Sequence, residues 1–186
     1  LLHDVGYIQE EHDTEGTGAK YTATHVVRSV EFLRRHRGTF GLEPERSERI
    51  GRIILGTDLG IPWDKLSLQD SEEARAASIL ASADLLGQMG DRAYLEKLLF
   101  LYYEFKEAGF GGYDSAFDIL RKTAGFYASV KSRLDSTLGP VSRAAKVHFA
   151  ARIGEDRALY RESIPPPMSY LAPIPEDDPA NFRTRP

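Results

Sequence analysis

The chain has 186 residues, of which 41% are hydrophobic, and this is enough for one folded core with at most a small appendage. The formal net charge of −4 gives no reason to expect nucleic acid or an anionic membrane surface as a partner. Because the sequence contains no cysteine, it excludes disulfide scaffolds, cysteine-ligated zinc, iron–sulfur clusters and cysteine nucleophiles.

Helical periodicity accounts for most of the sequence, and no sustained alternation typical of strands interrupts it. The first helix is predicted between Thr24, a candidate cap, and Gly38, a candidate stop. Ser71 is the predicted cap of a later helix that is rich in alanine and leucine. In chain order the predicted helices span 25–36, 45–59, 71–89, 93–109, 113–139, 141–154 and 156–164. We therefore expect an all-α fold of roughly seven or eight helices.

The pattern predicts one all-α domain over residues 1–164, with a polar loop at 9–19. Residues 1–90 carry the side chains that are capable of binding a metal, and residues 91–164 form a second helical half. Residues 165–186 begin with three consecutive prolines, so we expect an extended tail. The sequence shows no apolar run of about 20 residues and no leader pattern, which favours a cytoplasmic protein outside the membrane.

Several side chains suited to metal binding lie in or beside apolar helical stretches. They are His3, Asp4, His25, Asp58 and Asp84. Burying a charged group is unfavourable unless it is paired or bound to a metal. Carboxylates that face imidazoles are typical ligands of hard or borderline divalent cations. The set therefore predicts a divalent-cation site.

Each of these residues also has a purely structural interpretation. A His-Asp pair such as His3–Asp4 is common by chance, and His25 alone is compatible with an ordinary residue at the start of a helix. Asp58 alone is best interpreted as the end of a helix that caps the next loop. Asp84 alone is compatible with an exposed position, although its apolar neighbours argue against this. Aromatic residues at helical spacing in the second half are expected to form core.

Helical spacing places two pairs of polar residues on common faces. Asp84 and Gln88 are four residues apart, so they share a face of the predicted helix 71–89. His25 and Arg28 are three residues apart and also share a face. Because guanidinium grips phosphate through a fork of donors, a histidine beside an arginine suits an oxyanion.

Four segments together resemble the HD superfamily of metal-dependent phosphohydrolases. They are LLHDVGY (1–7), GAKYTATH (18–25), IGRIILGTDL (50–59) and ILASADLLG (79–87), so the resemblance covers about residues 1–90. The family pattern is a histidine on an upstream helix, an adjacent His-Asp pair, and an aspartate far downstream in an alanine-rich helix. Since the upstream histidine would precede residue 1, we expect either that LLHD lies inside a longer domain or that this protein has lost that ligand.

The resemblance implies an HD-like helical bundle that binds a divalent metal ion such as Mn, Fe, Ni, Zn or Mg. It implies that His3, Asp4 and Asp84 are metal ligands. His25 matches an additional histidine that ligates a second ion in two-metal members. Some members have a further histidine near the position of Asp58, and this sequence has none there.

The activity that the resemblance implies is hydrolysis of a phosphate ester, often a nucleotide, by water that the metal activates. Asp4 would also orient that water, and Asp58 is a second candidate catalytic carboxylate. Lys20, Arg28 and Gln88 are candidates for holding the substrate. The expected partner is a small phosphate-containing molecule rather than nucleic acid or membrane, and a homo-oligomer is compatible with the sequence. The alternative is a degenerate, non-catalytic helical module that binds a ligand or a protein.

Overall fold

The computed structural model describes residues 2–164 together with residues 169 and 171. This part of the chain is all-helical, with seven α-helices and no β-strand, so the predicted all-α fold is confirmed. Apart from residues 169 and 171, the tail predicted at 165–186 lies outside the described residues. Within the part that is described, we find no helix with both the length and the apolar character that a membrane span requires.

Two short 3₁₀ helices, Val5–Tyr7 and Gly18–Tyr21, precede the first α-helix. The α-helices are α1 (His25–His36), α2 (Pro44–Leu55), α3 (Ser71–Met89), α4 (Tyr94–Glu107), α5 (Ala116–Ser132), α6 (Ala145–Ile153) and α7 (Leu159–Ser163). Further 3₁₀ helices span Trp63–Lys65 and Gly139–Ala144, and a π-helical turn spans Arg133–Thr137.

The helix starts depend on local capping, which differs in part from the prediction. α1 begins and ends where it was predicted, although Thr24 makes no side-chain capping hydrogen bond. α3 is capped by Asp70, whose carboxylate accepts the backbone N–H of Glu73 at 2.7 Å. The prediction of Ser71 as the cap is therefore wrong, because the residue before it provides the carboxylate.

The long helix predicted at 113–139 is shorter than expected at both ends. A capping box begins α5, in which the side chains of Ser115 and Asp118 each bond to the other's backbone N–H. After α5 the chain widens into the π-helical turn. Gly139 then adopts a φ of +65°, a left-handed conformation that favours glycine, and this ends the continuous helix.

Two apolar clusters hold the helices together, and α3 contributes to both. The larger cluster joins α3, α4, α5 and the π-helical turn, and its most enclosed members include Ala81, Met89, Leu98, Leu120, Val130, Leu134 and Leu138. The smaller cluster joins α1 and α2 through Val26, Val30, Leu33 and Ile54, and Leu80 of α3 packs against it. α3 therefore packs against both clusters. Because burial of each large aliphatic side chain contributes about 1.5–3 kcal/mol, both contacts stabilise its position.

Candidate functional site

The first 3₁₀ helix packs directly on the start of α1, and this contact positions the N-terminal site residues. A Cβ atom on Gly6 would lie only 1.9 Å from the carbonyl oxygen of His25, so only glycine allows this approach. The backbone N–H of Gly6 donates to Ser29 Oγ at 2.9 Å. The same hydroxyl lies 2.7 Å from the carbonyl oxygen of His3, with which it bonds. His3 is therefore held against α1 by its own backbone.

Four of the predicted metal ligands lie together, and we call them the His–Asp cluster: His3, Asp4, His25 and Asp84. The Nε2 atom of His3 is 3.1 Å from Asp4 Oδ2 and 3.4 Å from Asp84 Oδ1. The Nε2 atom of His25 is 3.5 Å from Asp4 Oδ1. Two imidazoles and two carboxylates from the N-terminal segment, α1 and α3 thus form a chain of neighbouring polar side chains.

The imidazole of His3 is the most enclosed side chain of the cluster, with 18% of its surface exposed. Both of its ring nitrogens are buried, and within the part of the chain that the structure describes neither has a hydrogen-bond partner. Carboxylate oxygens lie 3.1 and 3.4 Å from Nε2, which is close enough for an ion pair with a protonated ring. Since buried polar atoms are nearly always hydrogen-bonded, the His3 ring is suited to bind a further group.

His25 has a defined tautomer. Its Nδ1 atom lies 2.8 Å from the carbonyl oxygen of Thr22, and a carbonyl only accepts hydrogen bonds, so Nδ1 carries the proton. In the neutral ring the lone pair is then on Nε2, which faces the carboxylate of Asp4. A lone pair that faces a carboxylate is stabilised by a cation or a proton between them.

The carboxyl group of Asp84 lies in an environment that disfavours its charge. Burial raises its pKa above the ordinary value of 3.8, the neighbouring His3 opposes that shift, and the negative charge of Asp4 adds to it. Burial and a second carboxylate both destabilise the ionised form, whereas a bound cation would stabilise it. The electrostatics of Asp84 therefore fit a cation site.

No group of three or more His, Asp or Glu side chains in the described ranges is arranged as a ready set of metal ligands. The separations of 3.1, 3.4 and 3.5 Å within the His–Asp cluster nevertheless resemble those between adjacent ligands of one ion. For bonds of about 2.1 Å, adjacent ligands lie about 3.0–3.5 Å apart. The donor types and the unbonded Nε2 atom of His3 therefore fit a divalent ion once the side chains close around it.

The two cations predicted to hold a substrate are engaged in structural contacts. The guanidinium of Arg28 donates to the carbonyl oxygen of Gly6 at 2.8 Å and to that of Ile8 at 3.1 Å. The ammonium of Lys20 contacts the carboxylate of Asp13. Arg28 therefore connects the first 3₁₀ helix to α1. Lys20 holds the polar loop that follows the first 3₁₀ helix.

The two remaining predicted site residues lie on separate elements. Asp58 follows α2, and its Oδ1 accepts the backbone N–H of Gly60 at 2.7 Å, which is the capping role considered for it alone. Its charge also acts on the guanidinium of Arg133. Gln88 is exposed on α3, one helical turn after Asp84. Asp58 and Gln88 are therefore not members of the His–Asp cluster.

Sequence reasoning missed several neighbours of the His–Asp cluster. The ring of Tyr7 stacks on His25 with centroids 4.3 Å apart and planes 19° apart. Burial raises the pKa of Tyr7, and the charges of Asp4, Glu104 and Asp84 add to this effect. Glu104 belongs to α4, and burial raises its own pKa. These contacts arise from the packing of separate elements, so helical periodicity gave no signal for them.

Residues 1–142 match the model of the Npun_R2479-like family, and all four members of the His–Asp cluster lie within that match. Since the match covers most of the chain, this chain belongs to the Npun_R2479-like family. A search of curated proteins finds no match, and a search of solved structures finds none either.

Proposed function

We propose that this protein is a metal-dependent phosphohydrolase of the HD type that acts on a small phosphate ester, such as a nucleotide. The observation that supports this proposal is the His–Asp cluster, in which two imidazoles meet two carboxylates. The unbonded, buried Nε2 atom of His3 and the raised pKa of Asp84 are both features that a divalent ion would satisfy.

Each member of the cluster has a role in this proposal. His3, Asp4 and Asp84 would hold the ion, and His25, whose Nε2 lies 3.5 Å from Asp4 Oδ1, would be the additional ligand. The chemistry that a bound divalent ion supplies is a lowered pKa of water and a polarised phosphoryl oxygen. Asp4 is the most exposed member at 55%, and its two oxygens face different imidazoles. It is therefore the carboxylate best placed to accept a hydrogen bond from an incoming water.

The local charge also favours a metal over a direct contact between protein and phosphate. The cluster contains two carboxylates, and Arg28 and Lys20 are engaged by backbone and carboxylate oxygens. A phosphate that approached without a metal would meet carboxylates of its own sign. A divalent ion reverses that sign, so we propose that the phosphate binds through the metal.

The experiment is calorimetric titration with Mn²⁺, combined with a panel of phosphate esters, on the unmodified chain, His3→Ala and Asp84→Ala. We expect both variants to bind Mn²⁺ at least about 100-fold more weakly and to lose turnover, while circular dichroism shows unchanged helix content. His36→Ala is the matched control, because His36 lies at the other end of α1 and packs on Phe32. Absence of Mn²⁺ binding by the unmodified chain, or an equal loss in His36→Ala, would contradict the proposal.

A second candidate is a non-catalytic helical module with a degenerate site, and one observation favours it. Phe100 and Tyr103 of α4 are 67% and 65% exposed, so the prediction that they belong to the core is wrong. The predicted core role is confirmed for Tyr102, Phe105, Tyr113, Phe117 and Tyr127, which pack against the larger cluster. If α4 is the working surface, Phe100→Ser with Tyr103→Ser would abolish partner binding, and His3→Ala would not.

A further inference from the structure

His25 is held on two sides by groups that do not belong to the His–Asp cluster. The carbonyl oxygen of Thr22 binds Nδ1 at 2.8 Å, which fixes the tautomer. The ring of Tyr7 lies almost parallel to the imidazole, with an interplanar angle of 19° and a centroid distance of 4.3 Å. The His25 side chain is 21% exposed, so most of its surface faces the protein.

Tyr7 ends the 3₁₀ helix Val5–Tyr7, and Thr22 directly follows the 3₁₀ helix Gly18–Tyr21. These two helices are in close contact. A Cβ atom on Gly18 would lie 2.2 Å from the carbonyl oxygen of Tyr7, so the backbones touch at a point that only glycine allows. The hydroxyl of Thr22 donates to the carbonyl oxygen of Ala19 at 2.6 Å. Tyr7 and Thr22 therefore hold His25 from two segments that pack against each other.

We propose that Tyr7 is a positioning residue for His25: its ring sets the plane of the imidazole so that Nε2 faces Asp4. The torsion that rotates a histidine ring is broad when the ring is unconstrained. A stacked aromatic ring restricts that torsion. Outer groups that orient a metal ligand by hydrogen bonds change metal affinity by about 10- to 100-fold, and we expect a stacked ring to act at the lower end of that range. This inference rests on the proposed function, since it assigns Tyr7 to the same site.

The decisive experiment is a double-mutant cycle with Mn²⁺ titration on Tyr7→Leu, His25→Ala and the double variant. We expect Tyr7→Leu to weaken Mn²⁺ binding about 10-fold in the unmodified chain and to have no further effect in the His25→Ala background. Tyr7→Phe keeps the ring and should bind within about 2-fold of the unmodified chain. An equal loss from Tyr7→Leu in both backgrounds would overturn the inference.

Tyr113→Leu is the matched control, since Tyr113 is also partly buried and contacts an aromatic ring, that of Phe105, at 5.2 Å. We expect it to leave Mn²⁺ binding unchanged. If it weakens binding as much as Tyr7→Leu does, general destabilisation explains both effects and the inference fails.

A second readout separates this inference from the proposed function. Nitrogen-15 NMR of the metal-free protein reports which ring nitrogen of His25 carries the proton. The bond from Nδ1 to the Thr22 carbonyl oxygen fixes the tautomer only while the ring keeps its plane. We expect the Nδ1–H form to dominate in the unmodified chain and in Tyr7→Phe, and a mixture of tautomers in Tyr7→Leu, where the ring is able to rotate out of that bond. If the unmodified chain binds no Mn²⁺, the proposed function fails, and the NMR result alone decides the role of Tyr7. Identical spectra for Tyr7→Leu and the unmodified chain would overturn that role.

Discussion

Two acidic residues of α3 have opposite environments. Glu73, in the first turn, has only 1% of its side chain exposed. The guanidinium of Arg52 donates to its two carboxylate oxygens, from Nε to Oε1 at 2.5 Å and from Nη2 to Oε2 at 3.2 Å. That contact lowers the pKa of Glu73. Asp84, about three turns later, is 33% exposed and faces His3 and Asp4, and burial raises its pKa. The more deeply buried carboxylate is therefore the better satisfied one.

This difference shows that burial alone does not decide what a carboxylate does. Glu73 has a partner of opposite charge on α2, so its ionised form is stabilised and it joins two helices. For Asp84, burial and the charge of Asp4 disfavour the ionised form and His3 offsets them only in part, so a bound cation would stabilise it further. The contact between Glu73 and Arg52 is complete without a ligand, whereas Asp84 lies in a site that is suited to bind a cation.

The largest expected effect comes from removing the charge of Glu73. Glu73→Gln should lower the free energy of unfolding by about 3 kcal/mol, because Arg52 would lose its partner at a mostly buried contact. Urea denaturation measures this change. Glu72→Gln is the control, since the Glu72 side chain is 87% exposed and lies 3.4 Å from Arg49. It should change stability by no more than about 0.5 kcal/mol, and equal effects from the two variants would contradict the comparison.

The pH dependence of that effect follows from the lowered pKa of Glu73. Its folded-state pKa lies below the ordinary value of 4.5, so its stabilising contribution is fully present above that value. The contribution is lost as the pH falls through the lowered folded-state pKa. The stability difference between the unmodified chain and Glu73→Gln should therefore be constant above about pH 5 and shrink below it.

Much of the fold follows from the sequence, because apolar residues recur at helical spacing in α1 and α2 and α3 is rich in alanine and leucine. Two details that sequence reasoning misjudged have local physical causes. Asp70 and Ser71 are both good capping residues, and only the backbone path decides which side chain reaches the free N–H groups. A π-helical turn at Arg133–Thr137 hardly disturbs the apolar spacing, so the pattern there indicates one continuous helix.

The candidate site, like the fold, could be predicted from the sequence only in part. Residue types and their apolar flanks selected five candidates, of which the fold brings four together in the His–Asp cluster and leaves Asp58 in a contact with Gly60. The engagement of Arg28 and Lys20 was not predictable, because it depends on where the first 3₁₀ helix and the polar loop pack. Stacking of Tyr7 on His25 depends on that same packing and was missed for the same reason.

A smaller effect would sharpen the distinction between structural and binding residues on α1. Arg28→Met should lower the free energy of unfolding by about 1–2 kcal/mol, because the carbonyl groups of Gly6 and Ile8 would lose their donor. Thermal denaturation of the metal-free protein would measure this loss. Arg37→Met, just after α1, is the matched control and should change stability by less than about 0.5 kcal/mol. Unchanged stability in Arg28→Met, with weaker substrate binding, would instead assign Arg28 to the substrate.

The smallest expected effect is an increase in the free energy of unfolding, and it tests directly whether Asp84 differs from Glu73. Asp84→Asn should raise the free energy of unfolding of the metal-free protein at neutral pH, by less than about 1 kcal/mol, because it removes a charge that the folded state disfavours. The folded-state pKa of Asp84 lies above 3.8, so ionisation destabilises the fold as the pH rises through that value. The two proteins should therefore be equally stable near pH 3 and diverge above about pH 4. Urea denaturation in EDTA across this range would measure the divergence, and a loss of stability in Asp84→Asn would mean that Asp84 is a structural carboxylate like Glu73.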